Sequence, residues 1–254
     1  MELLQIRSVT KTFGALKALD DVSFSLTEGE FLGLIGPNGA GKTTLFNIIS
    51  GTYPVTTGEI HFNGHHITSV KSYMRPYFAI GRTFQNVKLF PDLTVVENVM
   101  LGRHSRTCTN LWTAALHLPL HRKEEQETRK KVLEVLDFLE MVSLAHERAG
   151  DLPYGQQRLV EIARALVMEP RLLLLDEPCA GLNPHEAKEL EKKLRVTNRS
   201  GISILCVEHN MKMIMSISER IIVLNYGKKI AAGTPQEISK DPLVIEAYLG
   251  KRGN

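Results

Sequence analysis

The sequence predicts an α/β fold in which a mostly parallel core sheet follows an N-terminal antiparallel β part and carries an inserted α-helical subdomain. The N-terminal stretch alternates apolar and polar residues, which is the pattern of half-buried strands. Continuous apolar runs then recur at residues 31–35, 172–175 and 202–207, as expected for strands that are covered on both faces. A charged, helix-rich stretch separates the first run from the second, and we interpret it as the insertion.

The N-terminal part is expected to contain strands, then a loop and a helix. Turn-forming pairs occur at residues 20–21 and 28–29, and residues 31–35 form a buried strand that ends at a glycine. Residues 42–50 favour a helix, and Gly51 is a natural C-terminal stop. The apolar members of the alternating stretch are Leu4, Ile6, Val9, Val22, Phe24 and Leu26.

The middle of the chain is predicted to be helical. Residues 122–140 and 155–168 each place apolar side chains at the spacing of an amphipathic helix. The less regular piece at residues 102–120 contains Trp112. It is either a short helix at a partner surface or a segment that packs on its own subdomain. The apolar positions of the two helices are Val132, Val135, Leu136, Leu139, Leu159, Ile162, Ala163 and Leu166.

Strands return in the C-terminal part. The apolar runs at residues 172–175 and 202–207 flank a helical segment at residues 184–199, and this alternation indicates parallel strands. Residues 221–224, followed by Tyr226, Gly227 and Lys228, predict a strand that continues into a hairpin.

Bulk composition excludes several classes of protein. A net charge of +3 is low for a nucleic-acid-binding protein, so we expect no nucleic-acid partner. Cys108, Cys179 and Cys206 are far apart and lack metal-site spacing, which fits a reducing cytosol. The chain shows neither a signal peptide nor an apolar run of about 18 residues, so we expect a protein that is soluble by itself.

A glycine-rich motif at residues 36–43 (GPNGAGKT) matches the pattern G-x-x-x-x-G-K-[ST] between a predicted strand and a predicted helix. The glycines let successive backbone N–H groups point inward, and the helix N-terminus adds its positive dipole end. Lys42 supplies a cation for the β and γ phosphates, and Thr43 supplies a hydroxyl for Mg²⁺. The loop residues that we expect to bind a nucleotide are Gly36, Pro37, Asn38, Gly39, Ala40, Gly41, Lys42, Thr43 and Thr44.

An acidic pair follows the apolar run at residues 172–175. Asp176 stands where it would hold Mg²⁺ through water, and Glu177 stands where it would polarise or deprotonate an attacking water. Taken alone, the pair is more commonly an ordinary end to a strand. In a chain that also carries the phosphate-binding motif, the catalytic interpretation is the better one.

With these motifs in order, the chain resembles an ABC-transporter nucleotide-binding subunit over essentially its whole length, residues 1–254. The resemblance implies a P-loop NTPase core of the RecA-like type at residues 1–87 and 164–254. It also implies a helical subdomain at residues 88–163, which carries the family's signature motif. ATP and Mg²⁺ are the ligands that this family binds.

Further residues acquire roles through this resemblance. Phe13 resembles the aromatic residue that stacks on adenine, where tyrosine is more usual. Gln85 matches the glutamine that reaches Mg²⁺ and the attacking water, and His209 matches the histidine that contacts the γ-phosphate. Residues 180–183 (AGLN) occupy the D-loop, which communicates between paired sites. The implied Mg²⁺ ligands are Thr43, Gln85 and Asp176, the last of them through water.

The signature segment, residues 152–158 (LPYGQQR), departs from the usual Leu-Ser-Gly-Gly-Gln. In this family the segment completes the ATP site of a second subunit, and the serine hydroxyl contacts the γ-phosphate. Pro153 has neither a hydroxyl nor an N–H, so we expect weaker phosphate binding in the partner's site. We therefore favour an unequal pair of ATP-binding subunits over two identical ones. The expected signature residues are Leu152, Pro153, Tyr154, Gly155 and Gln156.

Local features are most similar to the ATP-binding subunits of branched-chain amino acid importers. They lie at residues 82–90, 154–164 and 180–184 and in the ending AYLG at residues 247–250. The resemblance implies transmembrane permease subunits as partners and, indirectly, a periplasmic or surface solute-binding protein. It places the chain peripherally on the cytoplasmic face of the cell membrane, where ATP closes two subunits together and hydrolysis reopens them.

Other assignments stay open at this stage. Urea or amide importers and the lipopolysaccharide-export ATPase share several of these local features. ABC-type ATPases without a transporter form another class, although this chain has a single nucleotide motif and no basic tail. A small-molecule kinase would leave the signature helix and His209 without a purpose.

Overall fold

The structure of this protein is a computed structural model, which describes residues 1–83, 87–106 and 119–249. The strands are β1 Glu2–Phe13, β2 Leu16–Thr27, β3 Phe31–Ile35, β4 Thr57–Phe62, β5 His65–His66, β6 Ile80–Arg82, β7 Leu172–Asp176, β8 Ser203–Val207, β9 Arg220–Asn225 and β10 Lys228–Gly233. The α-helices are α1 Lys42–Ile49, α2 Val95–Met100, α3 Pro119–Phe138, α4 Tyr154–Leu166, α5 Pro184–Arg199, α6 Met211–Ile217, α7 Pro235–Ile238 and α8 Pro242–Leu249. Short 3₁₀ helices lie at Ser72–Phe78, Leu101–Arg106, Val142–Leu144 and Ala149–Asp151.

The described strands form two sheets. One is antiparallel, in the order β2-β1-β4-β5. The other has the order β10-β9-β3-β8-β7-β6, in which every neighbouring pair is parallel except the β9–β10 hairpin. The predicted fold class is therefore confirmed, with its antiparallel N-terminal part and its mostly parallel core. The helices α2, α3 and α4 lie in the chain between β6 and β7, where the helical insertion was predicted.

The mostly parallel sheet is covered on both faces, which explains its continuous apolar runs. Leu32, Leu174 and Leu205 belong to the core shared with α1 and the antiparallel sheet. Their neighbours Leu173 and Ile204 belong to the core shared with the helices on the other face. Because side chains alternate along a strand, one run of apolar residues fills both cores.

The helices end or begin close to the predicted positions. Gly51 follows α1 with a φ of +75°, the left-handed conformation of a glycine that stops a helix. The helix predicted at residues 122–140 is α3, and Val132 and Leu136 are buried on its apolar side. The irregular segment around Trp112 lies outside the described residues. Across the described part of the chain, no helix combines the length and apolar character needed to cross a lipid bilayer.

Candidate functional site

The phosphate-binding motif forms a tight loop between β3 and α1. Gly36 has a φ of +154°, and a Cβ atom there would lie 2.2 Å from the carbonyl oxygen of Leu224, so only glycine fits. Lys42 is the first residue of α1, and its Nζ donates to the carbonyl oxygens of Gly36 at 2.7 Å and Pro37 at 3.0 Å. The ammonium group therefore lies inside the curl of the loop that precedes it.

The charge of Lys42 is balanced by the acidic pair at the end of β7. Burial lowers the pKa of Lys42, while the carboxylates of Glu177 and Asp176 act in the opposite direction. Only 6% of Lys42 is exposed, so its charge acts in a medium of low dielectric constant. The loop is thus a buried cationic site that faces two carboxylates.

A cleft of about 550 Å³ opens over this loop. It brings together parts of the chain that are far apart in sequence. Glu177 and His209 follow β7 and β8, and they line the cleft together with Tyr226 of the β9–β10 turn. The cleft is lined by Leu16, Lys17, Ala18, Asn38, Gly39, Ala40, Gly41, Lys42, Thr43, Thr44, Glu177, His209, Tyr226 and Gly227.

Close backbone contacts hold the phosphate loop against β2 and the β9–β10 turn on one wall of the cleft. A Cβ atom on either Gly41 or Gly227 would lie 2.7 Å from the carbonyl oxygen of Ala18. The N–H of Gly227 donates to the carbonyl oxygen of Ala40 at 3.0 Å, and the N–H of Asp20 donates to that of Gly227 at 2.8 Å. The phosphate loop, β2 and the β9–β10 turn are therefore held in one rigid junction.

Asp176 ends β7 and is only 4% exposed. Burial is the main reason that its pKa lies above the ordinary value, and Arg82, whose Nη2 lies 4.0 Å from Oδ2 of Asp176, opposes this shift. Arg82 also donates to Oδ1 of Asn47 at 2.8 Å and to Oγ1 of Thr52 at 3.0 Å. It thereby links the carboxylate to the segment that follows the phosphate loop. Gln85 lies outside the described residues.

Glu177 and His209 approach each other across the parallel strands β7 and β8. Nε2 of His209 lies 3.0 Å from Oε1 of Glu177. The backbone of Glu177 has a φ of +48°, which is uncommon for a residue with a side chain, and its N–H donates to the carbonyl oxygen of Val207 at 2.8 Å. The strained turn directs the chain out of the sheet immediately after Asp176.

Glu208 is a site residue that the sequence analysis missed. It is 4% exposed, and its carboxylate accepts hydrogen bonds from the N–H groups of Cys179 at 2.7 Å, His209 at 3.0 Å and Asn210 at 3.1 Å. It therefore holds the residue before the D-loop and the backbone of His209 together. The sequence contained a signal for Glu208, because this residue follows an apolar run, as Asp176 does.

Phe13 and Tyr226 are aromatic residues whose rings differ in how firmly neighbouring side chains hold them. The ring of Phe13 packs edge-on against Tyr53, with centroids 5.5 Å apart, and Nζ of Lys11 lies 4.8 Å from its centre. Phe13 is 43% exposed and does not line the cleft, whereas Tyr226 lines it and is 87% exposed. Tyr226 was not predicted, since a tyrosine in a hairpin turn carries no local signal of ligand binding.

The signature segment lies at the start of α4 and away from the cleft. Pro153 is the residue before the helix, and its carbonyl oxygen accepts from the N–H of Gln156 at 2.9 Å. A Cβ atom on Gly181 of the D-loop would lie 3.0 Å from the Tyr154 ring, and one on Gly155 would lie 2.8 Å from Oε1 of Glu186. The segment thus packs on the D-loop of its own chain. Its members, Leu152, Pro153, Tyr154, Gly155 and Gln156, do not line the cleft.

The fold and the cleft define a nucleotide-binding ATPase of the P-loop class. A family profile described as ABC transporter matches residues 19–180, and one described as branched-chain amino acid ATP-binding cassette transporter matches residues 228–253. The chain therefore belongs to the ABC transporter family, and it is an ATP-binding subunit that couples ATP hydrolysis to transport. The resemblance identified from the motifs is confirmed.

The similarity extends over almost the whole chain. The high-affinity branched-chain amino acid transport ATP-binding protein LivG of Salmonella typhimurium is 42% identical over 250 residues, which cover 98% of each chain. BraF of Pseudomonas aeruginosa, described in the same words, is 40% identical over 250 residues with the same coverage. The structure described as the ADP conformation of an ATP-binding cassette of an ABC transporter superposes with a TM-score of 0.86. It is 32% identical and covers 99% of this chain and 100% of its own.

Proposed function

We propose that this chain is the ATP-hydrolysing subunit of an importer for branched-chain amino acids. The observation that supports hydrolysis best is the single cleft in which Lys42, Glu177 and His209 meet. The substrate class is supported by the full-length similarity to LivG and BraF and by the profile match at residues 228–253. A subunit of this kind supplies energy, whereas other subunits select the solute.

In the proposed mechanism the loop N–H groups and Lys42 hold the polyphosphate of ATP. Glu177 accepts a proton from the attacking water, and His209, 3.0 Å from Glu177, orients that carboxylate and contacts the γ-phosphate. Glu208 fixes the backbone on which His209 is carried. The chain therefore contributes positioning and charge stabilisation, which are the main terms in phosphoryl transfer.

The residues near the loop fit a Mg²⁺ ion. A threonine hydroxyl and a carboxylate are hard oxygen ligands of the kind that Mg²⁺ prefers. Burial raises the pKa of Asp176, so a cation at that carboxylate would relieve the cost of its charge. Thr43 and Asp176 would hold the ion together with Gln85, which was assigned from the resemblance alone. When bound, such an ion would neutralise charge on the phosphates.

The assignment is tested with two variants of the purified chain. Lys42→Ala should lose Mg-ATP binding, measured by equilibrium titration. Glu177→Gln should keep ATP binding. In the assembled complex it should remain trapped with ATP in the closed state and lose about 10²-fold or more in kcat, because the base is removed. Glu189→Gln, which removes a half-buried carboxylate that pairs with Lys192 on α5 and does not line the cleft, is the matched control. Unchanged nucleotide binding in Lys42→Ala would overturn the proposal.

The substrate class needs an assay in the assembled transporter. A strain that lacks this subunit is complemented with the wild-type chain or with Glu177→Gln, and uptake of radiolabelled leucine, isoleucine and valine is measured. Uptake should be restored by the wild-type chain alone. ATPase activity in vitro together with failure to restore this uptake would contradict the substrate class and leave the ATPase assignment intact.

The working unit in this proposal is a head-to-tail pair with a second ATP-binding chain. The signature segment lies away from the cleft of its own chain, which is the arrangement expected if it completes a site on a partner. Since Pro153 lacks the hydroxyl that would reach a γ-phosphate, we favour a partner with a different sequence. Pro153→Ser should raise ATP turnover in the assembled complex, and no change in either site would count against the unequal pair.

Permease subunits are the second kind of partner. A shallow apolar surface beside Arg82 exposes Phe90 by 56% and Leu101 by 44%. Because Arg82 contacts both the phosphate-loop helix and Asp176, a permease segment on this surface would sense the nucleotide site. The proposal places the chain on the cytoplasmic face of the inner membrane, with a solute-binding protein acting indirectly and no nucleic acid. Phe90→Ser should reduce co-purification with the permeases while leaving ATP binding unchanged.

We also propose a division of the chain into an ATP-binding core and a helical subdomain. We assign residues 1–87 and 164–254 to the ATP-binding core and residues 88–163 to the helical subdomain. Limited proteolysis with and without Mg-ATP tests this division, since cleavage near residue 88 should respond to nucleotide. Cleavage inside the core sheet should not occur, nor should cleavage at Ala163, which is buried within α4.

A further inference from the structure

A cluster of histidines lies on the antiparallel sheet, away from the ATP cleft. His61, His65 and His66 fall within six residues of a chain that has 9 histidines in all. Asn63 and Gly64 join β4 to β5, with φ values of 50° and 79°, as in a two-residue hairpin turn. The turn sets the register in which His61 pairs with His66.

The sheet separates these side chains by face. Ile60 and Phe62 of β4 are buried in the core, so the alternate residues Glu59 and His61 project to the other face. His66, opposite His61 in the hairpin, joins them there, and the two imidazole rings have centroids 5.1 Å apart. A carboxylate and two imidazoles therefore share one accessible surface.

The distances fit a shared metal ion. Nε2 of His61 lies 2.9 Å from Oε2 of Glu59, and one ligand atom from each of the three residues lies within 4.8 Å of the others. Zinc takes His nitrogen and carboxylate oxygen at about 2.0–2.2 Å, which places ligand atoms roughly 3.3 Å apart in a tetrahedron. Small rotamer adjustments of exposed Glu59 and His66 and of half-buried His61 would bring the present set to that geometry.

Neighbouring groups both support and oppose a cation here. The hydroxyl of Thr68 lies 2.8 Å from Nε2 of His66 and also accepts from the N–H of Ile60 at 2.8 Å, so it orients the ring from a fixed position. Arg7 lies opposite Glu59 on β1, and its positive charge opposes a bound cation. The site is therefore expected to bind less tightly than a fully anionic one.

We propose that Glu59, His61 and His66 form a surface site for a divalent transition-metal ion of the zinc type. Imidazole nitrogen combined with carboxylate favours Zn²⁺, Ni²⁺ or Cu²⁺ over Mg²⁺, which distinguishes this site from the phosphate-loop region. Three protein ligands leave at least one coordination position for water. Because the ligands come from β4 and β5, the ion clamps the two-residue edge strand to the sheet.

The test is calorimetric titration of the full chain with ZnCl₂, after removal of any affinity tag and stripping of metal. One equivalent should bind to the wild-type chain. His61→Gln and His66→Gln should each weaken binding by at least about tenfold. His65→Gln is the matched control, because His65 pairs with Phe62 on the opposite face and packs against Phe78. Arg7→Gln should strengthen binding.

Two outcomes overturn the proposal. Absence of zinc binding to the wild-type chain is the first. Binding that is unchanged in both His61→Gln and His66→Gln is the second, since it would place the ion elsewhere, for example between Glu177 and His209. Circular dichroism and ATP binding verify that the variants are folded. Zinc should protect the wild-type hairpin from amide exchange at Ile67, whose N–H donates to the carbonyl oxygen of Ile60 at 2.8 Å.

Discussion

Nε2 of His209 lies 3.0 Å from Oε1 of Glu177, although the two residues follow different strands and are more than thirty positions apart in the chain. The contact exists because β7 and β8 are parallel neighbours, so their carboxyl ends meet at one edge of the sheet. Glu208 locks this edge, since its carboxylate accepts the N–H groups of Cys179 and His209. The candidate base and its orienting histidine are thus positioned by one buried acid.

Replacing Glu208 with glutamine should lower kcat more than it changes the Kd for ATP. Glutamine offers one acceptor oxygen and turns an NH₂ group toward backbone donors, so the loop that carries His209 loses its anchor. The free energy of unfolding should fall by about 1–3 kcal/mol because buried N–H groups lose their partner. Steady-state kinetics and denaturant unfolding measure both effects, with exposed Glu219→Gln as the control. Equal effects of the two substitutions would contradict the anchoring role.

Gly227→Ala should weaken ATP binding by about tenfold, because its methyl group would push against the carbonyl oxygen of Ala18 and move the wall of the cleft. Gly29→Ala is a matched control. Its φ is +77° against +76° for Gly227, but no atom lies within 4 Å of its added Cβ. Both variants should lose about 1–2 kcal/mol of stability from the left-handed backbone. A titration that finds similar Kd values for the two would show that the close approach is unimportant.

Asp176→Asn should stabilise the chain at neutral pH while abolishing ATP hydrolysis. Burial raises the pKa of Asp176 above its ordinary value of 3.8, so the folded chain binds this proton more tightly than the unfolded chain. Between the unfolded value and the raised one, stability therefore falls as pH rises, and the full cost remains at higher pH. Removing the charge should raise Tm at pH 7 by about 2–4 °C, or about 1 kcal/mol.

Scanning calorimetry at two pH values checks this sign. The difference in Tm between Asp176→Asn and the wild-type chain should shrink as the pH falls through the raised pKa of Asp176, and it should vanish below the ordinary value of 3.8, where the wild-type carboxyl is protonated in both states. Asp137→Asn, on the exposed side of α3, should show neither the stabilisation nor its pH dependence. A lower Tm for Asp176→Asn at pH 7 would mean that attraction to Arg82 outweighs the cost of burial.

Phe13→Ala should weaken ATP binding more than Tyr226→Ala. Stacking of a base on an aromatic ring contributes about 1–3 kcal/mol, and the Phe13 ring is already held by Tyr53 and Lys11. Tyr226 is almost fully exposed, so it would lose about 0.5–1.5 kcal/mol of side-chain entropy on stacking. Titration with ATP should give a Kd about tenfold higher for Phe13→Ala and a smaller change for Tyr226→Ala. The reverse order would place the base against the β9–β10 turn.

Much of the core could be predicted because its residues carry strong local patterns. The apolar runs of β3, β7 and β8 and the helices α3, α4 and α5 were recognised with boundaries within a few residues. The strands β4, β5 and β6 were not predicted. β5 has two residues and β6 has three, which is too short for a periodic pattern. β6 also pairs with β7, a strand that lies far away in the chain.

Local sequence was sufficient to predict the phosphate loop, the acidic pair and the order of the family motifs, since each depends on residues adjacent in the chain. Tertiary structure alone decided that Glu208 supports His209, that Tyr226 and Gly227 form a wall of the cleft, and that Glu59, His61 and His66 share one surface. The physical reason is that these relationships arise from strand pairing and register. Residues that meet across a sheet leave no common signal along the chain.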